Sequence, residues 1–312
     1  MAVPALRPPR IVVLGDLVLD VVLAPERALE RGTDVPGRVA LRQGGSAANA
    51  ARSMARLGAR VTLVSAVGRD AVGRALVAAV RRDGVVPRVV RVPGVRSGRI
   101  GVLVSPGGER SFVADRAAAD RLSPDDLRPA WFAGAALLHL PAYSLLGDPL
   151  GRAGRRAAEL AHRSGALVTV DLASVGPLLE HGRRPALEIV AGAAPDLLFA
   201  TATEAAALAG GGGPETLLRL APVVVLKRGA KGATVLAREA DGVRRFDVAT
   251  RPLQAADTTG AGDAFDAGFA VAWLEARREG IGPATALRRA ALAGHRAAAR
   301  HLGGRREELR LG

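Results

Sequence analysis

The amino-acid sequence predicts an α/β protein with three layers, α/β/α, around a mainly parallel central sheet, together with a small β lid. Short apolar runs alternate with longer helical stretches along most of the 312 residues. This alternation is typical of a parallel sheet that is covered by helices on both faces. Two segments, 21–42 and 96–115, interrupt it with short β-prone pieces and turns. These two segments predict the lid.

The individual elements follow from the order of apolar runs and breakers. The first run, 11–14, ends in a Gly-Asp pair and predicts a buried strand. Further central strands are predicted at 61–67, 136–140, 167–171, 196–199 and 223–226. Helices are predicted at 71–82, 151–163 and 203–209. Four glycines at 210–213 predict a flexible loop and not a linker. We therefore expect one domain over 1–312, with the lid segments inserted in it.

A glycine-rich segment, Asp-Thr-Thr-Gly-Ala-Gly-Asp at 257–263, precedes an apolar helical run. Gly260 and Gly262 permit a tight turn and a close approach of the backbone to a ligand. The N–H groups and the positive dipole end of the helix that follows favour an anion at this turn. A carboxylate inside an anion site is explained if it must meet a substrate proton. Asp263 is therefore the candidate general base beside a phosphate.

A second glycine pair, Gly44 and Gly45, precedes an Ala-rich helix that is closed by Gly58. Asn49 lies one turn into this helix and faces the same mouth as the glycines. Its amide both donates and accepts hydrogen bonds, which suits the recognition of hydroxyl groups.

Composition and charge exclude several other classes of protein. A hydrophobic content of 49% excludes general disorder, and the absence of cysteine excludes disulfide frameworks and thiolate sites. No run approaches the ~20 apolar residues of a membrane span. The net charge of +14 comes almost entirely from scattered arginines, while aromatic residues are only 3% of the chain. Because no base-stacking platform is visible, we expect a solvated basic surface and no nucleic-acid partner.

The two glycine motifs, in this order and roughly two hundred residues apart, resemble the two signatures of the ribokinase-like carbohydrate kinases of the phosphofructokinase-B type. The resemblance implies that Asp263 deprotonates a sugar hydroxyl. It also implies that the amides around Gly260, Ala261 and Gly262 stabilise charge on the transferring γ-phosphoryl group. The segment with Gly44, Gly45 and Asn49 would contact sugar hydroxyls, and segments 21–42 and 96–115 would form the lid over the sugar.

Two acids after the first strand are further candidates for substrate binding. The resemblance implies that Asp20 binds sugar hydroxyls, since a carboxylate can accept protons from two neighbouring hydroxyl groups. Asp16 is either a second substrate ligand or a turn residue. Val18 replaces a polar residue that ribokinase-like members often carry, which argues against ribose as the substrate.

The resemblance also implies metal sites. Thr201 and Glu204 match an Asn-x-x-Glu motif that organises Mg²⁺ and its waters, with threonine in place of asparagine. Glu204 can alternatively be a first-turn helix residue that the helix dipole stabilises. Asp257 and the carbonyl of Thr259 correspond to a monovalent-cation site in some relatives, which makes K⁺ a candidate ligand.

Nucleotide contacts are implied at two further places. Lys227, Gly229 and Gly232 follow a central strand, where the lysine can act as a point charge on phosphate. The same segment could be a simple hairpin. His295 lies on a helix of small residues that resembles the wall beside the adenine, although helix packing alone could explain that pattern.

The sequence therefore predicts a cytoplasmic enzyme that transfers a phosphoryl group from ATP, with Mg²⁺, to a hydroxyl group of a small sugar or sugar derivative. A nucleoside kinase with an adenosine- or pseudouridine-like substrate is the first alternative, and a sugar-sensing protein without catalysis is the second. No membrane partner is expected, and a homodimer stays open. The identity of the substrate and the hydroxyl that is phosphorylated do not follow from the sequence.

Overall fold

A computed structural model describes residues 7–253, 257–304 and 307–311, so the outer ends of the predicted 1–312 domain lie outside the described residues. Within the described part, the strands are β1 (Arg10–Leu14), β2 (Val18–Pro25), β3 (Gly37–Gly44), β4 (Arg60–Gly68), β5 (Val86–Val92), β6 (Arg99–Val104), β7 (Arg110–Asp115), β8 (Leu137–Pro141), β9 (Leu167–Asp171), β10 (Leu197–Thr201), β11 (Val223–Lys227), β12 (Ala233–Glu239) and β13 (Gly242–Val248). The helices are α1 (Ser46–Arg56), α2 (Ala71–Arg82), α3 (Leu150–Arg163), α4 (Val175–Leu179), α5 (Arg183–Ala191), α6 (Ala202–Ala209), α7 (Ala261–Arg278) and α8 (Pro283–Gly303). Several 3₁₀ turns connect them.

Nine strands form one large sheet in the order β13-β12-β11-β10-β9-β8-β1-β4-β5. The strands from β11 to β5 pair in parallel, and β12 and β13 add an antiparallel edge. The apolar run at 11–14 is completely buried, as expected for a strand with helices on both sides. One core cluster packs α1, α2, α7 and α8 on one face, and another packs α3, α5 and α6 on the other. The three-layer prediction is confirmed.

A separate four-stranded sheet has the order β3-β2-β6-β7. Its β2–β3 and β6–β7 pairs are antiparallel, while β2 and β6 are parallel. Val39, Phe112 and Val113 on this sheet are 67%, 58% and 77% exposed. The small β element expected from 21–42 and 96–115 is therefore present, but β2 already begins at Val18 and β3 continues to Gly44. As a result, the small sheet carries some of the predicted site residues itself.

Helices α7 and α8 pack unusually close together because glycines lie at their contact. A Cβ atom on Gly268 would lie 2.6 Å from the Ala293 carbonyl oxygen and 2.6 Å from the Ala297 Cβ. On α8, a Cβ atom on Gly294 would lie 2.8 Å from the Phe265 ring. The apolar character of α7 serves this packing, and none of the described helices is both long and apolar enough to cross a bilayer. The contact fixes the direction in which α7 leaves the sheet.

We expect Gly268→Ala to destabilise the protein by about 1–3 kcal/mol in urea unfolding, because the added methyl group overpacks the α7–α8 contact. Gly303→Ala is the matched control, since no heavy atom lies within 4 Å of a Cβ atom at that position. The control should be neutral or slightly stabilising, because alanine is the better helix former. Equal free energies of unfolding for the two variants would contradict this account of the packing.

Candidate active site

A cavity of about 310 Å³ opens where the carboxyl ends of the parallel strands meet the small sheet and the first residues of α1 and α7. Ligands of open parallel sheets collect at such an edge. The cavity is lined by many of the residues that the sequence predicts for the site: Asp16, Asp20, Gly45, Asn49, Thr201, Glu204, Lys227, Thr259, Gly260, Gly262 and Asp263. Residues that are distant in the chain are thus brought together here.

The start of α7 forms the predicted turn for an anion. Gly260 immediately precedes the helix with a left-handed φ of 74°, which favours glycine. No side chain caps this helix start. The N–H of Ala261 donates to the Thr258 carbonyl oxygen at 3.1 Å, while the N–H groups of the next residues and the positive dipole end meet no side-chain capping oxygen. Gly262 lines the cavity, and Ala261 is the first helical residue. The geometry is that of an anion-binding helix terminus.

Asp263 lies in the first turn of α7 and is half-buried beside the cavity. Its Oδ2 accepts a hydrogen bond of 3.0 Å from the Asn49 amide on α1. Burial, assisted by the negative charge of Asp171, raises the pKa of Asp263 to about 7, while the bond from Asn49 acts in the opposite direction. A carboxylate with a pKa near neutrality can accept a proton and release it again at physiological pH.

Asp16 is fixed by the protein itself. Its Oδ1 accepts from the backbone N–H of Ala47 at 3.1 Å, and its Oδ2 accepts from Arg116 Nη1 at 2.7 Å. The Arg116 guanidinium also lies 3.8 Å from the centre of the Tyr143 ring. Sequence reasoning missed Arg116 and Tyr143, which both line the cavity. In the sequence, Arg116 is marked only by its position directly after a lid strand. Because arginine is abundant throughout the chain, this position alone does not identify it as a site residue.

The two glycines of the first motif pack against the two acids that follow β1, Gly44 against Asp20 and Gly45 against Asp16. A Cβ atom on Gly44 would lie 1.9 Å from Asp20 Oδ1, so a larger residue here would displace this carboxylate from its position. Gly45 has a φ of 99°, and a Cβ atom there would lie 2.5 Å from the Asp16 carbonyl oxygen. Gly44 therefore makes room for Asp20, while Gly45 lines the cavity. Their contacts with a sugar stay a prediction.

Lys227 lies at the end of β11 and reaches beneath the start of α7. Its Nζ contacts Asp171 Oδ1 at 2.8 Å and Asp266 Oδ2 at 3.0 Å, and it lies 5.9 Å from the centre of the Phe199 ring. Burial disfavours the ammonium, but the two carboxylates outweigh it and raise the pKa of Lys227. Burial likewise raises the pKa of Asp266, which is fully buried. The predicted contact with phosphate would have to be made by an ammonium that already holds two carboxylates.

Thr201 and Glu204 form a capping box at the start of α6. Glu204 Oε2 accepts from the Thr201 backbone N–H at 2.7 Å, and Thr201 Oγ1 accepts from the Glu204 backbone N–H at 3.2 Å. Burial is the main cause that raises the pKa of Glu204, and Asp171 adds to it. Thr201 therefore serves as the N-cap of α6 at the position where the motif has asparagine. Across the described ranges, no group of three or more acidic or histidine side chains could hold a metal ion.

The remaining predicted nucleotide residues lie outside the lining of this cavity. Gly229 and Gly232, with φ values of 56° and 86°, form the tight turn between β11 and β12. His295 Nε2 is 3.1 Å from the Val248 carbonyl oxygen, and its ring lies edge-on to Phe265 at 5.1 Å. Burial lowers the pKa of His295, so the ring is neutral at pH 7. Contacts of these residues with a nucleotide stay a prediction.

The large parallel sheet between helices, together with the small second sheet, is the architecture of the ribokinase-like fold. A family model described as pfkB family carbohydrate kinase matches residues 8–305, and the chain belongs to this family. It is accordingly an ATP-dependent kinase that acts on a sugar or a nucleoside.

Individual relatives agree with this assignment. Fructokinase-1 of Oryza sativa subsp. japonica is 32% identical over 267 residues, which are 82% of this chain and 80% of that protein. The adenosine kinase from Sinorhizobium meliloti superposes with a TM-score of 0.80 at 24% identity, covering 96% of this chain and 95% of that one. A putative ribokinase II from E. coli, in complex with ATP and Mg²⁺, has a TM-score of 0.78 at 22% identity, with coverages of 96% and 94%. The two structural likenesses establish the fold.

We expect Lys227→Met to lower the free energy of unfolding by about 3–5 kcal/mol, because it leaves two buried carboxylates without their counter-ion. This loss of stability should grow as the pH rises, because the buried Asp266, whose pKa is raised, then ionises without a counter-ion. Urea unfolding at several pH values measures both effects. Lys231→Met, at the exposed second lysine of the chain, is the matched control and should be neutral. A deficit that does not change with pH would contradict the charge-pairing explanation.

Proposed function

We propose that the protein transfers the γ-phosphoryl group of ATP to a hydroxyl group of a small sugar, with Asp263 as the general base. The observation that carries this proposal is the position of Asp263 within the first turn of an uncapped helix, with a pKa of about 7. The fructokinase relatives make fructose the first substrate to test.

The roles follow from the positions of the side chains around the cavity. Asp20 and Asn49 would accept and donate hydrogen bonds to sugar hydroxyl groups and orient one of them toward Asp263. Asp263 then takes the hydroxyl proton while the sugar oxygen bonds to the γ-phosphorus. The bond from this phosphorus to the bridging oxygen breaks, and ADP leaves.

The anion turn would act on the group in transit. The N–H groups around Gly260, Ala261 and Gly262 would stabilise the negative charge that develops on the equatorial oxygens. The N–H of Ala261 donates to the Thr258 carbonyl oxygen at 3.1 Å, so it would have to exchange this acceptor for the phosphoryl group. Mg²⁺ bound to the phosphates would neutralise part of their charge, and Thr201 and Glu204, which line the cavity, would order its waters. The donor set fits such an ion, because Mg²⁺ in kinase sites keeps several water and phosphate ligands and needs few from the protein.

The small sheet would act as the lid. Ile100, Phe112 and Ala114 from β6 and β7 line the cavity from above. A closed apolar cover excludes water, so that the sugar hydroxyl competes successfully with hydrolysis of ATP.

Asp263→Asn should reduce kcat by about 10²–10⁴, because the amide cannot take the proton. The dissociation constant of ATP, measured by calorimetry, should stay the same, since the anion turn is unchanged. Asp241→Asn, at an exposed turn between β12 and β13, is the control and should keep full activity. Wild-type kcat in Asp263→Asn would remove Asp263 as the base.

The pH dependence gives an independent test of the same residue. Because only the ionised carboxylate accepts a proton, kcat/KM should rise with pH through the Asp263 pKa of about 7 and then level off. Asn49→Ala should move this rise to higher pH, since it removes a hydrogen bond that favours the charged form. The quantity to measure is the pH at which kcat/KM reaches half of its plateau, and not the absolute rate. A rise that stays in place in Asn49→Ala would contradict the coupling.

A panel of substrates with ATP and Mg²⁺ tests the class of acceptor. Fructose, other hexoses, pentoses, keto-deoxy acids, adenosine and pseudouridine are compared by the formation of ADP. Phosphorylation of a sugar supports the proposal, and a preference for a nucleoside would replace it with the nucleoside kinase. ADP formation that no acceptor increases would contradict both.

A further inference from the structure

The short loop before the anion turn is held by arginines from the small sheet. Asp257 Oδ2 accepts from Arg42 Nη1 of β3 at 2.9 Å, and Asp257 Oδ1 lies 2.9 Å from Arg110 Nη2 of β7. Arg110 also donates to Thr258 Oγ1 at 2.9 Å, through its Nη1. Within the loop, the Thr259 backbone N–H donates to Asp257 Oδ1 at 3.0 Å. Both oxygens of this carboxylate therefore face N–H donors.

The carbonyl oxygen of Thr259, which the sequence resemblance assigns to the cation site together with Asp257, also accepts a hydrogen bond. His301 Nε2 on α8 lies 2.8 Å from it, which makes the ring nitrogen the donor. The same nitrogen packs against the anion turn, because a Cβ atom on Gly260 would lie 3.1 Å from it. The last turns of α8 thus support the loop from the side opposite the arginines.

These contacts decide whether a monovalent cation fits between Asp257 and Thr259. An ion such as K⁺ is bound by oxygen atoms that replace its hydration shell. Here the carboxylate already carries two guanidinium groups, and the carbonyl carries an imidazole N–H. A cation placed on these oxygens would also be repelled by Arg42 and Arg110 at close range. The residues present do not fit the ion that the sequence resemblance implied.

We propose that Arg42, Arg110 and His301 replace the monovalent cation in this kinase. They are positioning residues, because they act through the loop and the anion turn and not on the substrate. This proposal rests on the proposed function only where its test measures kinase activity, since the test by melting temperature does not need a substrate. It makes catalysis independent of K⁺, and it ties the anion turn to the small sheet through two charge-assisted hydrogen-bonded pairs.

The surroundings of these pairs give them more weight than an exposed ion pair would have. The Arg110 side chain is 12% exposed, and those of Arg42 and Asp257 are 26% and 30% exposed. Two arginines share one carboxylate in this partly shielded place, so salt screens the cluster less than an isolated surface pair. Arg42, Asp257 and His301 line a cavity of about 180 Å³ next to the active site, which Asp20 and Asn49 also line.

The first experiment needs no substrate. The melting temperature of the wild-type protein is measured in KCl and in choline chloride at equal ionic strength, with and without ATP and Mg²⁺. The proposal expects no difference between the two salts. A specific rise in Tm with K⁺ would overturn it, whatever the protein phosphorylates.

The second experiment uses activity on the best acceptor of the panel. Wild-type kcat should be the same in KCl and in choline chloride, and a strong stimulation by K⁺ would overturn the proposal. The double variant Arg42→Ala/Arg110→Ala should lose about tenfold to a hundredfold in kcat, because the anion turn is displaced, while KM for ATP changes little. An unchanged kcat in this variant would also overturn it.

Single variants separate positioning from a general loss of fold, with Arg42→Ala and Arg110→Ala as the references. Arg110→Lys keeps a positive charge near Asp257 and should retain more kcat than Arg110→Ala, and equal losses would count against the charge-based explanation. Arg38→Ala removes an exposed arginine from the same strand as Arg42 and is the matched control. It should leave kcat and Tm unchanged. A loss in Arg38→Ala equal to that in Arg42→Ala would show that the effect belongs to the small sheet and not to the Asp257 contact.

Discussion

The site depends on one buried ion cluster. Lys227 at the end of β11 joins Asp171 of β9 to Asp266 of α7, and it spans β10 between them. The ammonium therefore fastens the helix that begins with the anion turn to the edge of the sheet where ligands collect. Such a cluster is costly to desolvate and strongly destabilising to break. In return, it holds Asp263, one helical turn before Asp266, in a single position relative to the strands.

The same cluster sets the charge balance at Asp263. Burial and the negative charge of Asp171 raise its pKa, while Lys227 and the hydrogen bond from Asn49 lower it. The result, about 7, lies far above the ordinary value for an aspartate and close to physiological pH. The pKa of this carboxylate therefore depends on neighbours on β9, β11 and α1 together. A single substitution at Asp171, Lys227 or Asn49 would shift it.

The sequence was sufficient for the features that local pattern determines. Alternating apolar runs gave the parallel sheet, and the glycines at 44–45 and 260–262 predicted helix starts that the structure contains. Side-chain partners were not predictable in this way. Arg42 and Asp257 are 215 positions apart, and Arg116 and Asp16 are 100 apart. In a chain with 44 lysines and arginines, no local signal identifies which of them pairs with which acid. The sequence resemblance assigns Lys227 to phosphate, and nothing local in the chain announces Asp171 and Asp266, which meet it only after folding.

The strand β3 ends at Gly44, and α1 begins two residues later at Ser46. The strand that carries Arg42 thus runs almost directly into the helix that carries Asn49. The small sheet and α1 are therefore joined by one continuous piece of backbone. A tilt of the small sheet would move the Asn49 side-chain amide, which contacts Asp263. Exchanging this sheet between related kinases would therefore also change the helix that carries Asn49, whose amide contacts Asp263.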